Sequence, residues 1–455
     1  MKKLSIKILI ITALMLNSFL YVQAQETLTL VDAVTTALKN NYSIRIVKKT
    51  GEIAENNVST GNAGMLPKVD ASAGASYKVE DTRTELSLST RGGQTDTTQA
   101  QASGPTVIET TGSKSSNMNA SINLNWTIFD GFAMFISYEK YEAIRDKSHI
   151  EIQLAIEGTI RNLVNTYFEA LKLQQQLKIL KENIDISRDR LYRTKDAYEL
   201  GTALKVEVYK AEVDINVDSS IYLQTKLAYK NMTRNLNYIL GRNITNDFEL
   251  NEAVGFSEYL DFDELKSGTF DNNTSINKSI WERKISELDY EMINSMYYPR
   301  VIFQTGYSFL RNESGGGFMT LSQSNGFNIG MNASWNLFDG NKTSIQSQNA
   351  EVNMMINDIK YDDIKKQIEL NLLNAYDTYT RRRELLNLEE SNLKTSEENF
   401  NRSKELYQLG QLTSIEFRDS QVNLMNAKKR INEAEYSAKI AETELLLISG
   451  TFLNK

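Results

Sequence analysis

Cysteine is missing altogether from this chain. Its absence excludes disulfides, and with them the lipidated cysteine that bacterial lipoproteins need. Histidine occurs once, at His149, which excludes a Cys/His zinc site. No metal or cofactor is expected, and the lone His149 reads as a helix-surface residue. Proline is almost as scarce. Its only positions are Pro67, Pro105 and Pro299, so nearly the whole chain is free of the strongest helix breaker. Past the N-terminus no apolar run approaches the roughly 18 residues of a membrane-spanning helix. Entry into a membrane would therefore have to be as β-strands.

The N-terminus has a distinct character. Lys2, Lys3 and Lys7 precede an apolar run from Ile8 to Val22, which ends in Val22-Gln23-Ala24. That is the pattern of a secretory signal cleaved after Ala24, residues 1–24. Removing it takes three lysines and no acid, moving the net charge from −7 to −10. Such an acidic balance argues against a nucleic-acid partner.

The chain is also duplicated. Trp126-Thr127-Ile128-Phe129-Asp130-Gly131 returns as Trp335-Asn336-Leu337-Phe338-Asp339-Gly340, and Tyr198-Glu199-Leu200-Gly201 returns as Tyr407-Gln408-Leu409-Gly410, both 209 residues later. Upstream the offset is 232: Asn40-Asn41-Tyr42 matches Asn272-Asn273-Thr274, and Leu66-Pro67 matches Tyr298-Pro299. An internal period of this kind decides the architecture. The change of offset places an insertion of 23 residues in the first copy, between Val69 and Trp126. The polar run Ser89–Thr98 lies there and reads as a solvated loop, with residues 82–116 as the inserted loop.

Within each copy the hydrophobic period changes. From Met118 to Ile128 and from Phe327 to Leu337, apolar residues alternate with Asn, Ser, Thr and Gly. This is the period and length of a membrane β-strand. Weaker alternation over Val69–Val79 and Val301–Phe309 supplies a partner for each, with loops expected over Asp81–Asn117 and Arg311–Gly326. After each strand pair the period becomes helical. Ile160, Leu163, Val164, Tyr167, Leu171, Gln174 and Leu177 form one stripe; Ile356, Ile359, Ile364, Ile368, Leu372, Ala375 and Tyr379 form another. Some 65 residues at 1.5 Å each make a helix of about 100 Å. Gly201 and Gly410 end these helices, and shorter ones follow, giving two long hairpins with tight tips.

The expected segments are an N-terminal helix at 26–66, a strand pair at 67–129, a hairpin at 130–241, an irregular segment at 242–275, a helix at 276–298, a strand pair at 299–338, a hairpin at 339–450 and a C-terminal end at 451–455. The fold class is an α+β membrane protein of two tandem repeats, each a strand pair plus a long helical hairpin. Four strands cannot close a barrel, and open edges in hydrocarbon cost several kcal/mol per unpaired group. Identical neighbours must supply the remaining strands. Two copies would fill the interior with side chains, whereas three, with twelve strands, leave a bore.

The repeated Phe-Asp-Gly, the repeated Tyr-x-Leu-Gly and the order strand, strand, long helix, shorter helix resemble the TolC-like outer-membrane efflux family, over essentially residues 26–455. The resemblance implies a homotrimer in the outer membrane of a Gram-negative bacterium. Its twelve-stranded barrel would continue into a periplasmic α-helical barrel. It implies a passive exit duct for a tripartite efflux or type I secretion system, docked on a periplasmic adaptor (membrane fusion) protein and an inner-membrane pump of RND or ABC type. Adaptor contacts would fall at Leu200, Gly201 and Thr202, and at Leu409, Gly410, Gln411 and Leu412. Glu416 and Asp419 match an acidic ring at the tunnel constriction. Tyr407 and Glu207 match gate residues, but Leu412 stands where the family's latching arginine would be, leaving Arg418 or Lys205 as substitutes. Trp126 and Trp335, at strand ends, fit an interfacial aromatic belt or plain packing at the strand–helix junction. The alternative is an exported coiled-coil structural or cell-surface protein. An enzyme is not expected: the chain has no phosphate loop, nucleophile elbow or metal-binding helix motif.

Overall fold

A computed structural model describes residues 27–86, 106–251, 255–256, 260–315 and 320–450. The signal segment 1–24, the Ser89–Thr98 run and residues 451–455 lie outside them. In chain order the elements are β1 (Thr27–Leu28), α1 (Leu30–Asn40), α2 (Tyr42–Asn57), β2 (Lys68–Leu86), β3 (Thr106–Phe129), α3 (Ala133–Glu199), α4 (Lys205–Ile239), β4 (Glu249–Leu250), α5 (Phe262–Asn272), α6 (Thr274–Asn294), a short 3-10 turn (Ser295–Tyr297), β5 (Arg300–Ser314), β6 (Leu321–Ser334), α7 (Lys342–Gln408) and α8 (Ser414–Ile448). The chain divides into two compact units. One comprises residues 54–145 and 284–356; the rest of the described chain forms the other.

The duplication is visible in helix length. α3 and α7 each have 67 residues, and α4 and α8 each have 35. Each long helix starts at the Phe-Asp-Gly motif. The Asp130 carboxylate accepts the Met134 N–H at 3.3 Å, and Asp339 accepts the N–H of Thr343 at 2.9 Å and its hydroxyl at 2.6 Å. These acids satisfy donors that a helix start leaves open. The turn itself needs two successive left-handed residues, Gly131 and Phe132 (φ 72° each) and Gly340 and Asn341 (φ 70° and 67°).

The two copies also tie their ends alike. Asn41 Nδ2 donates to the Ile239 carbonyl at 2.8 Å, and Asn273 Nδ2 to that of Ile448 at 3.2 Å. The second copy begins earlier than the sequence suggested. Residues 242–275 are not all irregular, because α5 occupies Phe262–Asn272 as the 11-residue counterpart of α1. Asp261 caps it by accepting the Glu264 N–H at 3.0 Å, as Thr29 caps α1. Gly268 and the polar run around it hide this helix, whose inward residues are only Leu265 and Thr269. β4 lies in the same segment and pairs in parallel with β1. The helix expected at 26–66 is two helices, broken at Asn41, and it ends at Asn57.

The helical unit is held by the stripes the sequence exposed. Ile160, Leu163, Val164, Tyr167 and Leu171 pack with Leu236, Leu240 and Tyr436. The Tyr167 hydroxyl lies 3.0 Å from the Leu28 carbonyl and 3.2 Å from that of Asn251. Burial pushes its pKa up to about 12. The α7 stripe is buried only in part: Leu372 is enclosed, while Ile359 is 68 % exposed.

In the other unit the strands form one antiparallel sheet, ordered β2-β3-β5-β6. They are longer than the alternation predicted. β2 runs to Leu86 and β3 begins at Thr106, so the described residues of the expected loops 81–117 and 82–116 are strand; likewise β5 runs to Ser314 and β6 begins at Leu321. Beyond the alternating stretch both faces are mostly polar, which erases the period-two signal. Thr82, Thr84, Val107, Ile108 and Thr110 still favour strands, and Arg83 pairs across to Glu109 at 3.2 Å. The apolar positions of the alternation are left uncovered in the single chain. Ile122, Phe327, Ile329 and Met331 are all more than half exposed.

Candidate functional site

The tips close by the same hydrogen bonds. The Thr202 N–H reaches the Ala197 carbonyl at 2.8 Å and that of Gly201 reaches Tyr198 at 3.0 Å; in the second copy Gln411 reaches Leu406 at 2.9 Å and Gly410 reaches Tyr407 at 3.1 Å. This double bond pattern needs a left-handed residue at the first position past the helix, and Gly201 (φ 76°) and Gly410 (φ 70°) supply it. Leu200 and Leu409, just before them, are 80 % and 71 % exposed. Two apolar side chains therefore stand on tight, backbone-exposing turns.

Hairpin 2 re-enters through a capping box. The Thr413 hydroxyl accepts the Glu416 N–H at 3.3 Å, and the Glu416 carboxylate accepts from the Thr413 N–H at 3.0 Å and its hydroxyl at 2.7 Å. The hydroxyl bond, then the backbone bond, hold the Glu416 pKa below the usual carboxylate range. Asp419, one turn on, is exposed. It lines a pocket with Glu207, Arg190, Lys210, Asp214 and Arg418. Tyr407 lies elsewhere, in a groove with Glu182, Asp189 and Arg193. Its ring stacks flat on Phe417 at 4.6 Å, and Leu412 packs against the same aromatic cluster. The structure thus brings Glu207 and Asp419 to one pocket and places Tyr407 in another. Lys205 sits 5.5 Å over the Tyr209 ring.

What the sequence reading missed is a buried polar network. Arg418 grips Asp218 with two bonds of 2.8 Å, and Ser187 donates to the same carboxylate at 2.6 Å. Gln421 donates to Ser187 at 2.9 Å and to the Asn183 side chain at 2.8 Å. Arg190 pairs with Asp214 and reaches the Ser414 carbonyl at 3.4 Å. Asp218 is 1 % exposed and Arg190 3 %. Burial alone would lower the Arg418 pKa, but the Asp218 hydrogen bond and the charges of Asp218 and Asp214 hold it above its ordinary value. The network joins α8 of the second hairpin to α3 and α4 of the first. A signal for it existed. Asn183, Ser187, Arg190 and Thr194 continue the three-four spacing of the α3 stripe past Leu180, so polar residues at core positions marked the place.

The two tryptophans occupy equivalent places in the sheet unit. The Trp126 indole N–H donates to the Met65 carbonyl at 2.9 Å, and that of Trp335 to Tyr297 at 3.0 Å. Each pins a strand end to the turn before another strand. No group of acidic or histidine residues among those described can hold a metal ion, and no described helix is long and apolar enough to cross a membrane.

A duplicated strand pair with an exposed apolar row, joined to capped helices of about 100 Å, has the organisation of an outer-membrane channel. The chain belongs to the outer membrane efflux protein family, whose model matches residues 33–242 and 267–451. Solved structures share the fold. The CmeC outer membrane channel of Campylobacter jejuni superposes with a TM-score of 0.73 at 17 % identity, over 93 % of this chain and 86 % of that one. VceC of Vibrio cholerae gives 0.71 at 14 %, over 92 % and 96 %. MtrE of Neisseria gonorrhoeae, an outer membrane channel in its open state, gives 0.65 at 14 %, over 93 % and 89 %. No curated relative matches the sequence. Channels of this family conduct passively, form trimers and work with adaptor and inner-membrane pump partners.

Proposed function

We propose that this channel is gated by the buried network near its tips and meets its adaptor through the tip residues. The carrying observation is the Arg418–Asp218 fork, which fastens the second hairpin to the first inside one chain. Leu412 supplies no charge at the tip, and Lys205 is engaged with Tyr209. Arg418, assisted by Arg190 on Asp214, therefore takes the latching role. Removing one partner leaves a buried, uncompensated charge, costing roughly 3–5 kcal/mol. In planar bilayers, Asp218→Asn and Arg418→Met should each raise the open fraction of single-channel current. Unchanged gating in both, with intact oligomers, would sink the latch.

Leu200, Gly201, Thr202, Leu409, Gly410, Gln411 and Leu412 form the docking surface for a periplasmic adaptor serving an RND or ABC pump. Glu416 and Asp419 form an acidic constriction when copies converge on one axis, attracting cations. Glu207 adds a carboxylate at the Asp419 pocket, and Tyr407 anchors the tip through its stack on Phe417. Trp126 and Trp335 sit at the membrane interface.

A further inference from the structure

Two sheet edges are unpaired in a single chain: β2 on one side and β6 on the other. Every residue of β6 is exposed. The sequence duplication fixes what covers them. β3 and β6 are copies of one strand, offset by 209; β2 and β5 are copies of another, offset by 232. Inside the chain, β3 pairs with β5. The same contact, carried through the repeat, is β6 against a β2 that this chain places at the far edge. We propose that β6 pairs antiparallel with β2 of a second copy of this chain in one register: Trp335 opposite Ala71, Ala333 opposite Ala73, and Asn332 opposite Gly74. The family's trimeric state says that copies meet; the repeat says which residue meets which.

The register is that of Trp126 opposite Phe303, Leu124 opposite Thr305 and Asn123 opposite Gly306, shifted by the two offsets. Three observations support it independently. The first is the face. The proposed pairing puts Phe327 opposite Val79, Ile329 opposite Tyr77 and Met331 opposite Ala75, all exposed apolar positions or small ones. A slip of one residue would set this apolar row against Lys78, Ser76 and Gly74.

The second is a matched packing of asparagine on glycine, which slips of two would lose. Gly306 is wedged between asparagines from both neighbouring strands. A Cβ there would lie 2.5 Å from Asn123 Oδ1 and 3.2 Å from Asn328 Oδ1. Its repeat partner Gly74 shows half of this arrangement, with a Cβ 2.8 Å from Asn119 Oδ1. Asn119 is the counterpart of Asn328, and the missing counterpart of Asn123 is Asn332. The proposed register delivers it, whereas slips of two bring Gly330 or Ser334.

The third comes from the turns beyond the strands. A Cβ on Gly131 would meet the Ser295 carbonyl at 2.3 Å, while its counterpart Gly340 faces open space. The segment that closes on Gly131 has Ala63 and Leu66 as its repeat partners, and Leu66 is 58 % exposed. In the second copy they take the place that Ser295 and Tyr298 hold here.

The chain has no cysteine of its own, so paired cysteines test the register directly. Adjacent cross-strand pairs alternate between wide and narrow spacing, so Ser72→Cys/Ser334→Cys and Ala73→Cys/Ala333→Cys together include a narrow one. Within one chain the two edges are about 14 Å apart, three strand spacings, beyond the ~7 Å reach of a disulfide. Any disulfide is therefore between copies. Mild oxidation of outer membranes, read by non-reducing denaturing electrophoresis, should give covalent dimers and trimers with at least one of these pairs. The two-shifted pairs Ala71→Cys/Ala333→Cys and Ala75→Cys/Ala333→Cys should stay monomeric. Cross-linking through a shifted pair alone overturns the register while leaving the channel reading intact. No cross-linking by any pair in a membrane-inserted oligomer overturns the β6–β2 seam. A chain recovered only as a monomer overturns both the seam and the trimeric channel.

Discussion

Glu416 closes the capping box of α8, and both this role and the constriction proposed for it need its carboxylate ionised. As the capping-box acid it must be ionised, and its lowered pKa, due first to the Thr413 hydroxyl and then to its backbone N–H, keeps it so at neutral pH. A depressed carboxylate pKa gives stability that is present above the ordinary Glu range and lost as pH falls through the lowered folded value. The protection of the Glu416 and Phe417 amides against hydrogen exchange, corrected for intrinsic rate, should therefore fall on acidification. Glu416→Gln should flatten that dependence, and a protection that is independent of pH in the parent chain would contradict the cap's role. Asp419 has no such duty. Asp419→Asn should weaken cation blockade of single-channel current without changing thermal stability, and unaltered blockade would remove it from the constriction. At Gly201 and Gly410 the left-handed backbone is the whole requirement. Alanine at either should cost about 1 kcal/mol of local stability, read as loss of exchange protection at that tip alone.

Among the elements, the long hairpins were plain in the sequence and parts of the rest were not. Gly201, Gly410 and the Phe-Asp-Gly turns are sharp local signals, because few residues accept a left-handed backbone. The Ile160–Leu171 stripe was equally clear, since it packs within one chain. The strand ends were obscured because residues such as Thr84 and Thr110 lie outside the alternating region, where neither face is apolar. α5 was hidden by Gly268 and by having only two inward residues. The buried network at Ser187, Arg190 and Asp218 was overlooked because its residues are polar at core positions, and hydropathy alone reads such positions as surface. The equal lengths of the paired helices carry a prediction of their own. Deleting one heptad from both arms of a single hairpin should abolish efflux through the assembled system. The same deletion in both hairpins should restore much of it. Equal loss in the two cases would mean that matched length is not what the partner reads.

For the whole molecule, the duplication organises a ring as well as a chain. Contacts that one copy makes inside the protomer are those the other copy offers to a neighbour. This explains why Gly131 is enclosed and Gly340 open, and why Val164 of α3 is buried while its counterpart Leu373 of α7 is 44 % exposed. A gated outer-membrane channel is tested most directly by single-channel recording from purified trimers in planar bilayers. The parent chain should show small, rare openings, and Arg418→Met should shift the same trimers to long, large ones. Intact trimers of both forms that carry no current would contradict it.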